Sequence, residues 1–174
     1  EKTDELNSLL EALPKSGSVS FTRQQKPLGL GHAVWCARHF VGDEPFAVIL
    51  PDDLIKGPKG VLSQMVEAYD RVGGNLVAVE EIPRERTKSY GILKTGAVNG
   101  TLVEVKGLVE KPKPQDAPSN LRIVGRYILQ PEVFHEIENQ KPGAGKEIQI
   151  TDAMAHLIGR QPFHGLRFAG ECFD

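Results

Sequence analysis

The sequence predicts an α/β fold: a mixed, mostly parallel sheet flanked by helices, with an additional β-hairpin region. Three observations carry this. From Glu1 to Ile82 helical and β-type stretches alternate, the order that builds a parallel sheet covered by helices. Phe46-Ala47-Val48-Ile49-Leu50 is apolar throughout and too short for a helix of its own, as for a strand buried on both faces. Asn99-Gly100 stands between two β-type runs, a strong hairpin signal. With 174 residues the chain is long enough for one domain with its own core, and residues 1–174 are read as one.

Leu6, Leu9, Leu10 and Leu13 recur at helical spacing, and Pro14 and Gly17 end that helix. Ser18 to Arg23 alternates and reads as a strand. Gly29 and Gly31 precede a helix over Ala33–Phe40. Pro51, with no N–H to donate, stops the Phe46–Leu50 ladder. Val61–Val72 is an amphipathic helix with Leu62, Met65, Val66 and Tyr69 inward, closed by Gly73-Gly74. Asn75–Ile82 is a Val-rich strand. Tyr90–Leu93 and Leu102–Val105 then flank the Val98–Thr101 turn of the hairpin, and Lys113–Ser119 is a Pro-rich exposed loop. Ile123–Leu129 is a strand, and Pro131 opens a helix to about Asn139. Lys141–Lys146 is a loop, and Ile150–Ile158 is a helix that Thr151 and Asp152 are placed to cap. Leu166–Phe168 is the last strand.

Composition excludes several classes. Charged residues are 25% and apolar residues 40%, ordinary for a soluble globular protein. A formal charge of −2 gives no bulk attraction to nucleic acid or anionic membrane. No apolar run reaches the roughly 18 residues that span a bilayer, and no secretory signal is visible. Two cysteines, Cys36 and Cys172, make no disulfide framework, so a cytoplasmic location is expected, with Cys36 a buried small hydrophobe.

Three features point to chemistry. Asp52-Asp53 follows the Phe46–Leu50 strand, and in open α/β sheets ligands bind at the carboxyl ends of strands. Two adjacent acids repel, and hard oxygen ligands of this kind suit Mg²⁺ with phosphates and water; an acidic turn is the simpler reading of the dipeptide. The Gln24–Ala33 stretch brings two glycines to a helix N-terminus, where free N–H groups suit a phosphate or a base carbonyl. Gln24 has the donor and acceptor to read an amide-like base edge; Gly-x-Gly alone also describes an ordinary loop. Glu110-Lys111 combines an acceptor for sugar hydroxyls with a point charge for a phosphate, or is a solvated surface pair. No Ser, His and acid triad stands out, and the cysteines are too far apart in sequence for a clustered zinc site.

Seven motifs occur in order: Gln24 through Ala33, Leu50-Pro51-Asp52-Asp53, Ser89-Tyr90-Gly91-Ile92, Val109-Glu110-Lys111-Pro112, Ala117-Pro118-Ser119-Asn120, Val124-Gly125-Arg126-Tyr127 and Glu147-Ile148-Gln149-Ile150-Thr151-Asp152. Each is modest alone; together they resemble the bacterial UTP–glucose-1-phosphate uridylyltransferases, or UDP-glucose pyrophosphorylases, over nearly the whole chain. The resemblance implies a Rossmann-like, glycosyltransferase-A-like sugar nucleotidyltransferase that joins UTP and glucose 1-phosphate into UDP-glucose and pyrophosphate with Mg²⁺. It further implies a homo-oligomer for the full-length enzyme. Gln24 and Gly29 would read uracil. Asp52 matches the family's metal-binding aspartate and Asp174 its second. Gly91, Glu110 and Lys111 would hold the glucosyl phosphate, and Tyr127 would line the sugar side. Asp52 and Lys111 would carry catalysis by charge neutralisation.

The chain also departs from the family. The family opens with a glycine-rich Gly-x-Gly-Thr-Arg loop and a Pro-Lys segment around the triphosphate, and nothing before Gln24 resembles them. The family continues beyond the position of Asp174. The expectation is therefore a core fragment, inactive by itself. A relative using dTTP or ATP would share the fold and Asp52, while Arg23-Gln24 and the Ala117-to-Tyr127 block favour the uridylyl family. A sugar-nucleotide-binding module without activity is a second class. A metal-dependent glycosyltransferase is a third, although Asp52-Asp53 lacks the spacer of its usual Asp-x-Asp.

Overall fold

The structure, a computed structural model, describes residues 2–173. β1 (Phe46–Ile49), β3 (Asn75–Glu81), β4 (Gly91–Asn99), β5 (Leu102–Glu110), β6 (Leu121–Leu129) and β7 (Phe163–Arg167) form one sheet in the order β1-β6-β3-β7-β5-β4, and β2 (Leu54–Lys56) pairs with β8 (Glu171–Phe173) in a second. The helices are α1 (Lys2–Ala12), α2 (Leu30–Trp35), α3 (Arg38–Val41), α4 (Val61–Val72), α5 (Glu132–Asn139) and α6 (Ile150–Leu157).

The α/β class, the mixed helix-flanked sheet and the hairpin are as the sequence indicates. The expected dominance of parallel pairing is not: β3–β7 is parallel, while β1–β6, β3–β6, β4–β5, β4–β6 and β5–β7 are antiparallel. The cause is β6, which returns from the hairpin region and inserts between β1 and β3. Every residue of β6 is buried except Arg126, which is half-buried.

Apolar residues from both faces of the sheet make two cores. One joins Val77, Leu93, Val103, Tyr127 and Leu129 to Phe134, Met154 and Leu157 of α5 and α6. The other packs Val61, Met65 and Ala68 of α4 on Leu76, Ala78, Val124 and Leu166. In α4 Met65 is buried with Val61 and Ala68, Leu62 and Tyr69 pack half-buried against the same core, and only Val66 of the expected inward residues is exposed.

β1 is not buried on both faces. It pairs with β6 and stacks Phe46 on Phe134 at 4.8 Å, leaving Ala47 and Ile49 exposed on the other face. Ser18–Arg23 forms no strand; Phe21 is 90% exposed, and no described strand offers that alternating stretch a ladder. α1 forms as expected, but Leu6, Leu9, Leu10 and Leu13 are exposed and belong to neither core. The helix expected after Gly31 breaks into α2 and α3 at Cys36-Ala37, and Cys36 is half-buried rather than buried. β8 has no counterpart in the sequence reading.

Two features position the site. The hairpin turns at Gly100, whose φ is 60°, a left-handed conformation that glycine adopts without strain. The sheet then curls so that β4, two strands beyond β7, meets β6 again through Ile92 and Arg122. That contact brings the start of β4 and the end of β5 over the first residues of β6.

Candidate functional site

A cleft of about 350 Å³ opens where the curled hairpin, β6, the loop after β1 and the start of α6 converge. It is lined by five of the sequence-derived candidates, Asp52, Gly91, Glu110, Lys111 and Tyr127. They arrive from three directions: Asp52 from the loop after β1, Tyr127 from β6, and the other three from facing ends of β4 and β5, where Gly91 and Glu110 are paired.

The two aspartates differ sharply. Asp52 is exposed on the cleft wall. Asp53 is 8% exposed. Its Oδ2 accepts the Gly125 N–H at 2.7 Å, its Oδ1 accepts the Cys172 thiol at 3.3 Å, and Arg122 Nη1 lies 3.6 Å away. The repulsion expected within the pair is thus relieved on one side by Arg122, leaving Asp52 as the open carboxylate.

Arg122 is 3% exposed, yet it lines the cleft. Its Nε donates to Glu80 Oε2 at 3.0 Å, and its guanidinium lies 4.5 Å over the ring of Tyr90. Burial works against its charge, but the Glu80 hydrogen bond and the nearby Asp53 outweigh this and hold its pKa above the usual value. Burial, with the Asp53 hydrogen bond behind it, pushes the Cys172 thiol up to about 11, so it is protonated at neutral pH.

Glu110 and Lys111 are not a solvated surface pair. The Glu110 side chain is 12% exposed, its Oε2 accepts the Thr151 hydroxyl at 2.7 Å, and its Oε1 lies 3.7 Å from Lys111 Nζ. The Lys111 side chain is 52% exposed and reaches the opening. Lys111 has φ 47°, unusual for a residue with a Cβ, and its N–H donates to Tyr90 O at 3.0 Å. A Cβ on Gly91 would stand 3.2 Å from Thr151 Oγ1 and 3.3 Å from Glu110 Oε2, so glycine leaves room for that hydrogen bond. Thr151, expected to cap α6, gives its hydroxyl to Glu110 instead, and α6 has no side-chain cap. Tyr127 is 6% exposed; burial first, then Glu110, Asp53 and Asp52, raises its pKa well above the ordinary phenol range, keeping it neutral.

Gln24 and Gly29 do not line the cleft, although Leu30 beside them does. Gln24 Nε2 donates to Gly29 O at 3.0 Å and lies 2.9 Å from His32 Nδ1. Gly29 has φ 102°, and a Cβ there would meet Glu147 Cβ and Ile148 O at 2.8 Å. The closest neighbour that requires glycine at 29 is thus the 147–148 segment, which is stitched to this loop by Ile148 N–H to Leu28 O and Gly31 N–H to Ile148 O. Asp174 lies outside the described residues. Among those residues no three His, Cys, Asp or Glu cluster as a ready-made metal site, and no helix is long and apolar enough to cross a membrane.

The chain that builds this cleft belongs to the nucleotidyl transferase family, whose model matches residues 1–169. Within it, the chain is 49% identical over 177 residues to the UTP–glucose-1-phosphate uridylyltransferase of Komagataeibacter xylinus, a match spanning 99% of this chain and 62% of that protein. It is 43% identical over 169 residues to the enzyme of that name from Bacillus subtilis strain 168, spanning 95% and 58%. A UDP-glucose pyrophosphorylase complexed with UDP-glucose superposes with a TM-score of 0.86 at 41% identity, covering 89% of this chain and 60% of that one. A UTP-bound UGPase from Acinetobacter baumannii superposes at 0.85 with 37% identity, covering 99% and 60%. The chain spans about three-fifths of the length of these relatives.

Proposed function

We propose that the protein carrying this chain transfers a uridylyl group from UTP to glucose 1-phosphate, giving UDP-glucose and pyrophosphate, and that residues 1–174 are one nucleotidyltransferase domain of it. The observation that carries the reading is the convergence of Asp52, Gly91, Glu110, Lys111 and Tyr127 in one cleft. Relatives named for this activity at 40–49% identity support it.

In this reading a phosphate oxygen of glucose 1-phosphate attacks the α-phosphorus of UTP. A new P–O bond forms, the bond from the α-phosphorus to the bridging oxygen breaks, and its electron pair leaves with pyrophosphate. The attacking oxygen is already anionic, so the cleft needs no general base. Lys111 sets its ammonium against the sugar phosphate. Glu110, one oxygen fixed by Thr151, accepts from sugar hydroxyls, and Gly91 leaves room for the sugar beside it. Tyr127, neutral in this surround, forms part of the floor on the sugar side. Gln24, through the loop it ties down, and Gly29 select uracil at the nucleotide side.

The exposed carboxylate of Asp52 fits Mg²⁺, which takes one or two carboxylates together with phosphates and water; Asp174 is the second ligand in this reading. When bound, the ion neutralises phosphate charge. Oligomerisation of the full-length protein in the cytoplasm belongs to the same proposal.

The test is direct. The full-length protein is given glucose 1-phosphate with UTP, dTTP, ATP or CTP in turn, and pyrophosphate release is measured. UTP preferred by orders of magnitude is the expected result. No preference for UTP, or no dependence on glucose 1-phosphate, refutes the reading.

A further inference from the structure

We infer that Arg126 is a positioning residue for Asp52, acting through the main chain on both sides of it. One guanidinium gathers three carbonyls: Nη1 donates to Leu50 O at 2.7 Å and Gly125 O at 2.8 Å, and Nη2 donates to Asp53 O at 2.7 Å. The ladder of β1 ends at Ile49, Pro51 has no N–H, and a loop of this length would otherwise be free to turn about Asp52. Arg126 replaces the missing ladder. It holds residue 50 and residue 53 to β6, and two further bonds close the same frame: Leu50 N–H to Gly125 O at 2.8 Å, and Gly125 N–H to Asp53 Oδ2 at 2.7 Å. Pro51 and Asp52 are the link left outside this frame, fixed at either end, with the Asp52 carboxylate in the cleft. The planar fork of arginine is what makes three carbonyls reachable at once, and lysine has no such geometry.

This inference rests on the proposed metal role of Asp52, and the experiment separates the two. Mn²⁺ binding to the full-length protein in the presence of UTP is titrated by electron paramagnetic resonance, alongside the Mg²⁺ dependence of turnover and a melting curve for each variant. Arg126→Gln is expected to weaken Mn²⁺ binding about tenfold or more, the size seen when groups that orient a metal ligand are lost. The Mg²⁺ needed for half-maximal turnover should rise by a similar factor, with the KM for glucose 1-phosphate unchanged. Arg126→Lys should fall between that variant and the wild type. In an Asp52→Asn background Arg126→Gln should cost no further Mn²⁺ affinity, because the two act through one ligand. Wild-type Mn²⁺ affinity in Arg126→Gln overturns the inference, as does a loss that adds in full to that of Asp52→Asn. If the glutamine variant does not fold, Arg126→Lys decides by the same titration. Wild-type Mn²⁺ affinity in Asp52→Asn alone overturns the metal reading itself, and this inference with it.

Discussion

Two neighbouring aspartates offer a clean dissociation between stability and activity. Asp53→Ala removes the acceptor of the Gly125 N–H from a site only 8% exposed. A buried donor left without a partner costs about 1–3 kcal/mol. Arg122 keeps Glu80 at 3.0 Å, so losing a carboxylate at 3.6 Å adds a smaller amount, about 1 kcal/mol. The sum is about 2–4 kcal/mol, and at 2–4 °C per kcal/mol for a domain of this size Tm should fall by roughly 4–16 °C. Asp52→Asn alters an exposed side chain, so stability should move by no more than about 0.5 kcal/mol, while turnover falls by roughly two orders of magnitude or more. Circular-dichroism melts and pyrophosphate release on the full-length protein measure both. Equal melting losses in the two variants, or an Asp53→Ala protein as stable as the wild type, would refute the division of labour described above.

Four further outcomes are expected. Glu110→Ala should raise the KM for glucose 1-phosphate by about 5- to 150-fold, the range that 1–3 kcal/mol corresponds to, with little change for UTP; equal losses for both substrates would mark Glu110 as structural. Gly91→Ala sets a methyl 3.2 Å from Thr151 Oγ1, so it should weaken glucose 1-phosphate selectively while stability stays within about 1 kcal/mol of wild type; an unchanged KM would show that the hydrogen bond yields at no cost. Gln24→Ala should relax nucleotide choice in a four-nucleotide competition, and unchanged preference would confine Gln24 to holding its loop. The pKa of Tyr127 is raised on folding, so its contribution to stability is complete below the unfolded value near 10 and fades as pH rises beyond it. Melting temperatures between pH 8 and 11 should therefore fall less steeply in Tyr127→Phe, and parallel curves would contradict the burial argument.

Local signals placed most of the elements. Valine-rich Asn75–Ile82 is a strand because its branched side chains suit a pleated surface, and Asn99-Gly100 turns a hairpin because its backbone conformation is accessible there. Pairing is a different matter. Nothing within Leu121–Leu129 says that it will lie antiparallel between β1 and β3, since that choice is made by residues far along the chain. Ser18–Arg23 shows the converse: alternation marks what a strand looks like, but a strand exists only where a neighbour completes its hydrogen bonds. β8 is three residues held by Leu54–Lys56, too short to leave a pattern.

The site divides the same way. Asp52 and Glu110-Lys111 stand at strand ends and were legible there. Arg122, Arg126 and the Thr151 hydroxyl were not, because one polar residue in an apolar strand or at a helix start has no local period. A signal did exist for the arginines. Two guanidinium groups inside a strand as apolar as Leu121–Leu129 demand acidic or carbonyl partners elsewhere, and Asp53, the neighbour of the chosen aspartate, supplies one.

The central position of β6 also has a consequence for synthesis. The loop bearing Asp52 emerges some 75 residues before Tyr127, and at about 5–20 residues per second that is a delay of roughly 4–15 seconds. β1 waits through all of it, and β3 (Asn75–Glu81) through its second half, without the strand that lies between them. Their apolar faces and unpaired amides are then open to other nascent chains. Faster translation of the stretch from Ile82 to Leu129 should shorten this exposure and raise the yield of folded protein.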